Sequence, residues 1–265
     1  MFPLLTQTFP SSAAELENLL NESLRQVLTT REKPVRVVGE KFPALQEIAI
    51  DLDRAQVRRD APPPPRPVGE TALALQVERF ELKGSDVVVG PAAINLGLRA
   101  DAVVLNQARD ARNEIILTLQ SARAGTVEVA TARTDLENAI TEFARREAGK
   151  QGVAIDDVRL NLRQVGERAV EGEASVRAKK MFFTTTIRLT ARLEIDEQLN
   201  ARVSNLNCAG EGAIGSLACG FLAPHLQKVN GRTFPLMTFA MGEVRLRDVR
   251  LSVGDKLEVR AEFGA

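Results

Sequence analysis

The sequence of 265 residues has no tryptophan, no tyrosine and a single histidine, and 35 basic side chains balance 35 acidic ones. Proteins that bind single-stranded nucleic acid stack bases on aromatic rings and neutralise phosphates with surplus Lys and Arg. The sequence has 11 phenylalanines but neither of the other two aromatic residues. This low aromatic content and the zero net charge therefore argue against a nucleic-acid partner. His225 cannot form a metal site by itself, and we expect neither a metal nor another cofactor.

Cysteine is also scarce, since Cys208 and Cys219 are the only two. Their spacing fits neither a zinc site nor a redox-active pair separated by two residues. Two small buried thiols are the favoured interpretation, because free cysteine is among the most buried residue types. A disulfide between them is the alternative, and it would require an oxidising compartment.

No apolar run approaches the roughly 20 residues that a membrane-spanning helix needs. Residues 1–5 lack the basic and long apolar regions of a signal peptide. We therefore expect a cytoplasmic or peripheral-membrane location, with the cell envelope as the alternative if the chain is a trimmed form.

The first predicted helix begins at Ser12, which forms a capping box with Glu15. Apolar residues then recur at helical spacing from Leu16 onwards. The same periodicity places Glu17 and Asn21 on the opposite face, where we expect them to be solvated.

Two further helices are predicted. Thr134 and Glu137 form a second capping box, and the segment 134–144 has an apolar face. The segment 216–229 is apolar on nearly all sides, which is typical of a buried helix.

The remaining apolar residues alternate with polar ones, as in strands of an antiparallel sheet with one dry face. This pattern covers residues 45–57, 71–129 and 187–195, with a turn predicted at residues 83–85. The four prolines at 62–65 cannot pair in a sheet and predict an extended loop. A ligand for an SH3-type domain is the alternative interpretation of these prolines.

About ten predicted strands face only three helices. Because three helices cannot cover so much apolar sheet, the sheet must curl around a helix, close on itself or pack against a second sheet. The predicted fold class is α+β, mainly antiparallel β, with a long, strongly curved sheet wrapped around a helix.

An internal repeat is also predicted, because the segment 16–20 resembles the segment 136–140 and each begins a helix that is followed by strands. We expect one tubular domain over residues 1–265, with pseudo-repeat halves at 11–130 and 131–265.

The order of these elements resembles that of the bacterial LmeA-like branch of the tubular lipid-binding superfamily. The resemblance is greatest from Gly220-Phe221-Leu222, through the turn and strand at 230–236, to Gly242-Glu243-Val244-Arg245-Leu246. The segment 134–144 resembles the family's mid-chain helix. This resemblance implies a curved sheet on a helix, with lipid in the crevice and no catalytic residues.

A glycine-rich segment offers a different function. Gly210, Gly212 and Gly215 match the GxGxxG pattern of dinucleotide-binding loops. However, the neighbouring strands alternate, whereas the parallel strands of such enzymes are continuously apolar. A turn that leads into a helix is the favoured interpretation, and a nucleotide-binding enzyme is the alternative.

We therefore predict a protein that is not an enzyme and that binds or transfers a lipid or acyl chain in an apolar groove. A filled β-sandwich for protein contacts is a further alternative. Transient membrane contact is left open, as is the oligomeric state. The predicted apolar lining comprises Leu16, Leu20, Ile140, Phe143, Ile187, Leu189, Leu193, Leu217, Phe221, Leu222, Phe234, Leu236 and Phe239.

Overall fold

A computed structural model describes residues 2–30, 32–149, 153–180, 183–196, 200–235 and 245–264. These residues form an α+β structure that is mostly β, with three helices, as predicted. The helices are α1 (Ala13–Val27), α2 (Arg133–Gly149) and α3 (Gly212–Val229). The strands are β1 (Phe2–Pro3), β2 (Leu28–Thr29), β3 (Val35–Val38), β4 (Ala44–Asp51), β5 (Gln56–Val57), β6 (Val68–Val89), β7 (Ala92–Arg109), β8 (Ile115–Ser121), β9 (Ala124–Ala132), β10 (Ala154–Gly166), β11 (Ala169–Lys180), β12 (Phe183–Ile195), β13 (Asn200–Gly210), β14 (Thr233–Pro235), β15 (Arg245–Val253) and β16 (Lys256–Gly264).

The strands form two open sheets. The eleven-stranded sheet has the order β15-β16-β9-β7-β6-β4-β3, with β8 also on β7, β1 on β8, β5 on β6 and β2 on β5. It is mixed, because β4 and β5 run parallel to β6. The second sheet has the order β10-β11-β12-β13-β14 and is antiparallel throughout its described pairs. The predicted antiparallel character is thus confirmed for most pairs.

The chain divides into two compact units. Of the described residues, the first unit contains 2–129, 245–248 and 260–264, and the second contains 130–235 and 249–259. The two predicted pseudo-repeat halves within one domain stay a prediction.

Helix α1 begins where its capping box predicts. Ser12 is the N-cap, and its side chain accepts a hydrogen bond from the backbone N–H of Glu15. The carboxylate of Glu15 accepts the backbone N–H of Ser11 at 2.8 Å. In a regular capping box it would accept the N–H of the N-cap residue, Ser12, instead. The buried face is also as predicted, because Leu16 and Leu20 are fully enclosed in the core of the first unit.

The predicted solvated face of α1 is wrong for Asn21, whose side chain is 2% exposed. Its Oδ1 accepts the N–H of Val35 at 3.0 Å, and its Nδ2 donates to the carbonyl of Val35 at 3.1 Å. Glu17 adds a third bond by accepting the N–H of Val37 at 2.9 Å. Because β3 is an edge strand, these two side chains satisfy backbone groups that otherwise lack a neighbouring strand.

The predicted turn at residues 83–85 is also wrong, because β6 continues to Val89. Its pairing with β7 shifts register between Gly84 and Val87 instead. A β-bulge therefore accounts for the glycine that resembled a turn residue. The hairpin turn lies at Gly90 and Pro91.

The bonds of Asn21 predict a large effect of one substitution. Asn21→Leu keeps the bulk of the side chain but leaves the backbone N–H and carbonyl of Val35 without partners. We expect the free energy of unfolding to fall by about 2–3 kcal/mol, because an unsatisfied buried polar group costs ~1–3 kcal/mol. Urea denaturation measures this loss.

Asn18→Leu is the matched control, because Asn18 lies on the exposed side of the same helix. We expect this variant to change stability by less than about 0.5 kcal/mol. Equal effects of the two substitutions would contradict the role of Asn21 at the strand edge.

Candidate functional site

One face of the second sheet is apolar and carries two helices. Register places Ala174, Leu189 and Cys208 side by side across β11, β12 and β13. The two helices contribute Ile140 and Ala218, among others, to the cluster on this face. Its fully buried members are Ile155, Val158, Val176, Ala178 and Ile187.

Helix α2 is fixed to the outer edge of this sheet. The Glu137 carboxylate accepts the N–H of Leu160 at 2.8 Å, and Arg145 Nε donates to the carbonyl of Ile155 at 2.8 Å. Both strand residues lie in the edge strand β10. Glu137 in α2 thus makes the same kind of bond as Glu17 in α1, and the two residues occupy matching positions in the segments 136–140 and 16–20.

Helix α3 is not buried on all sides, which corrects the prediction from its sequence. Leu217 is 64% exposed and Ile214 is 38% exposed. Two small residues of α3, Ala218 and Cys219, pack on the cluster of the sheet. Lys228 is the only Lys, Arg, Asp or Glu within the helix. The helix therefore presents large apolar side chains to solvent with little charge beside them.

The favoured interpretation of the cysteines as free thiols is wrong. Cys208 of β13 and Cys219 of α3 form a disulfide, with their Cα atoms 5.5 Å apart. The bond joins the middle of α3 to the strand beneath it. Sequence spacing gave no sign of this pairing, because it depends on α3 folding back along β13.

The glycine-rich segment has a packing role. A Cβ atom on Gly215 would lie 2.7 Å from the carbonyl carbon of Gly210 and 2.7 Å from Thr185 Oγ1. The glycines thus allow the start of α3 to cross the end of β13 in close contact. β13 pairs antiparallel with β12, so the parallel strand context of a dinucleotide loop is missing here.

The predicted lining residues are placed in both units. Leu16 and Leu20 belong to the core of the first unit, whereas Ile140, Ile187 and Leu189 share the cluster of the second. Leu193 and Leu222 are half-buried, and Leu217 is exposed. Backbone but not side-chain positions are described for Phe143, Phe221 and Phe234, and Leu236 and Phe239 lie outside the described residues.

Two surface depressions, each of about 480 Å³, lie elsewhere. One lies on the polar side of the second sheet, over the backbone of Gly172, and is flanked by Arg163, Glu171 and Arg192. Arg163 and Arg192 both pair with Glu171. The other lies in the first unit beside Lys41 and Gln76. None of the predicted lining residues borders either depression.

Two aspartates, Asp51 and Asp157, form ion pairs at the surface. Lys83, 2.9 Å from Asp51, lowers the pKa of that carboxyl, and the N–H of Asp53 adds to the effect. Arg159 likewise lowers the pKa of Asp157. Groups shifted in this direction stay ionised at neutral pH, which is the opposite of what a general acid requires.

Within the described ranges, no three His, Cys, Asp or Glu side chains lie close enough together to bind a metal ion. None of the helices in this part of the chain has the length and apolarity to traverse a lipid bilayer. Comparison with known proteins finds no matching family model, no matching curated protein and no matching solved structure.

The packing role of Gly215 predicts opposite effects at two glycines of α3. Gly215→Ala forces the helix away from β13, and we expect a loss of about 1–3 kcal/mol in unfolding free energy. Gly220→Ala has no neighbour within 4 Å of the added methyl group, and we expect a gain of about 0.5–1 kcal/mol from better helix propensity. Thermal and urea unfolding measure both values, and effects of equal sign would contradict the close crossing.

Proposed function

We propose that this protein binds a lipid or another long acyl chain without catalysing a reaction. The proposed binding site, called the seat below, is the apolar face of the second sheet together with α3. The proposal includes the fold that this function needs, a strongly curved sheet wrapped around a helix.

The observation that carries the proposal is the solvent exposure of α3. Soluble proteins rarely leave contiguous large apolar side chains uncovered unless something binds there. Leu217 and Ile214 are uncovered on a helix with a single charged residue. Leu189 and Leu193 of β12 and Leu222 of α3 are half-buried.

An acyl chain matches this surface energetically. Burial of one methylene group is worth about 0.8 kcal/mol, so a chain of sixteen carbons gains on the order of 12 kcal/mol before ordering costs. This gain requires only apolar side chains and no catalytic group. The small residues Ala174, Ala178 and Ala218 are part of the apolar cluster on this sheet face.

The length of one connection supports a curved sheet in the first unit. Gln56 lies beside Val88, yet β6 begins at Val68. A straight strand from Val68 to Val88 would span about 66 Å at ~3.3 Å per residue. The chain from Gln56 to Val68 reaches at most about 43 Å even when fully extended. A bent or coiled β6 would bring Val68 close enough to Gln56 for the connection to reach. The prolines at 62–65 keep this connection extended.

The position of α1 supports a sheet that curls around a helix. Leu16 and Leu20 share one buried cluster with Ile48 of β4, Leu75 of β6 and Leu117 of β8. A single helix that shares a core with several strands of one sheet fits the expected wrapping. Leu16 and Leu20 are part of this core, and we therefore place the acyl chain in the second unit.

The proposal predicts that Leu217→Gln weakens the binding of a fluorescent fatty acid, 11-(dansylamino)undecanoic acid. We expect about a tenfold rise in Kd, because burial of a leucine side chain is worth ~1.5–3 kcal/mol. Fluorescence titration of the full chain measures the effect. Stability should change by less than about 0.5 kcal/mol, since Leu217 is exposed.

Leu73→Gln is the matched control, because Leu73 is 59% exposed on β6 of the first unit. This variant should bind the probe as the unaltered chain does. Equal weakening in both variants, or none in either, would contradict a seat at α3. The second outcome would favour a role of the exposed face in protein contacts instead.

A further inference from the structure

We infer that α3 is a lid over the sheet part of the acyl-chain seat and that the Cys208–Cys219 disulfide holds this lid shut. The inference rests on the proposed function and specifies how its site opens. Three observations carry it: the apolar surface beneath the helix, the weakness of the helix itself and the arrangement of its attachments.

The surface beneath α3 is a continuous apolar stretch. Ile187 and Leu189 alternate on β12, and Leu189 lies beside Cys208 of β13. Both side chains belong to the cluster that also contains Ala218 and Cys219 of α3. Ile187 is 7% exposed while α3 is in place. Movement of α3 away from β13 would uncover Ile187 and Leu189 as the sheet part of the seat.

The helix contributes little stability of its own. Gly215 and Gly220 lie within it, and glycine is a poor helix former. Pro224 also lies within it and removes one backbone hydrogen bond. Its N-cap residue, Glu211, makes no side-chain capping bond. Ala218 and Cys219 are small, so their contact with the sheet buries little apolar area. The disulfide is therefore the strongest attachment at the centre of the helix.

The two ends of α3 are built as hinges. Gly212 and Gly231 both have positive φ, at 67° and 79°, and glycine adopts such angles without strain. Hydrogen bonds hold the strand backbone at both ends: Glu211 N–H donates to Thr186 O at 3.0 Å, and Gly231 N–H donates to Val203 O at 2.7 Å. These bonds keep the flanking segments attached to the sheet while the glycines let the helix turn away from it.

Opening the lid is a two-electron reduction. The S–S bond breaks, each sulfur gains one electron and one proton to become a thiol, and a dithiol reductant closes to a cyclic disulfide. Oxidation by a disulfide-forming partner reverses the step. Because the open form is scarce while the bond is intact, the apparent affinity for the acyl chain is reduced by the open fraction.

The test is a titration of the full chain with 11-(dansylamino)undecanoic acid before and after treatment with dithiothreitol, with thiol counting to verify reduction. We expect reduction to lower the Kd about tenfold through the larger open fraction. Hydrogen exchange should accelerate at residues 214–226 while residues 136–148 of α2 stay protected. Cys208→Ser combined with Cys219→Ser should bind as the reduced chain does and ignore the reductant.

Leu189→Trp in the double-serine chain fills the seat and should abolish the gain in affinity. Equal affinity of the oxidised and reduced chains would overturn the lid but leave the proposed function standing. Absence of binding in both states would overturn the proposed function and the lid together. Accelerated exchange throughout α1 and α2 would show that the disulfide supports the whole fold, and this result would also overturn the lid.

Discussion

The backbone groups on the outer side of an edge strand need hydrogen-bond partners, and at β3 and β10 of this protein helices provide them. Asn21 and Glu17 of α1 bond to the backbone of β3, and Glu137 and Arg145 of α2 bond to that of β10. Each helix is thereby fixed along one edge of a sheet, and its apolar side is directed onto the sheet face. Edges covered in this way are not free to pair with another chain. The same constraint decides which parts of each sheet face these two helices leave uncovered.

The apolar surface of the second unit follows from this arrangement. Helix α2 covers the edge at β10, whereas α3 lies along β13 and packs through the small residues Ala218 and Cys219. Close packing through small residues leaves Leu217 and Ile214 exposed. The exposure of two large apolar side chains on a helix that packs through Ala218 and Cys219 is poorly explained by stability alone. The proposed binding of an acyl chain would account for this exposure, and the disulfide gives the helix a fixed position.

Local signals in the sequence predicted local structure well. The Ser12 cap, the burial of Leu16 and the strand alternation in 187–195 all depend on neighbouring residues, and the structure has them as expected. The failures depend on distant partners. Asn21 is buried because β3 has an open edge, Gly84 lies at a bulge in a long strand, and Cys208 meets Cys219 because α3 returns along β13. Periodicity carries no information on such contacts, although the small residues at 215, 218 and 219 share one side of α3 and could have indicated a close approach. No local feature of the sequence indicated a lipid ligand, and the prediction of one rested on the family resemblance.

Native mass spectrometry of the gently purified full chain, followed by extraction and identification of any bound lipid, tests lipid binding most directly. A non-catalytic acyl-chain carrier should retain a co-purifying acyl lipid at about one molecule per chain, released on unfolding. Repeated preparations without bound lipid, which also take up none from added vesicles, would contradict the proposed function.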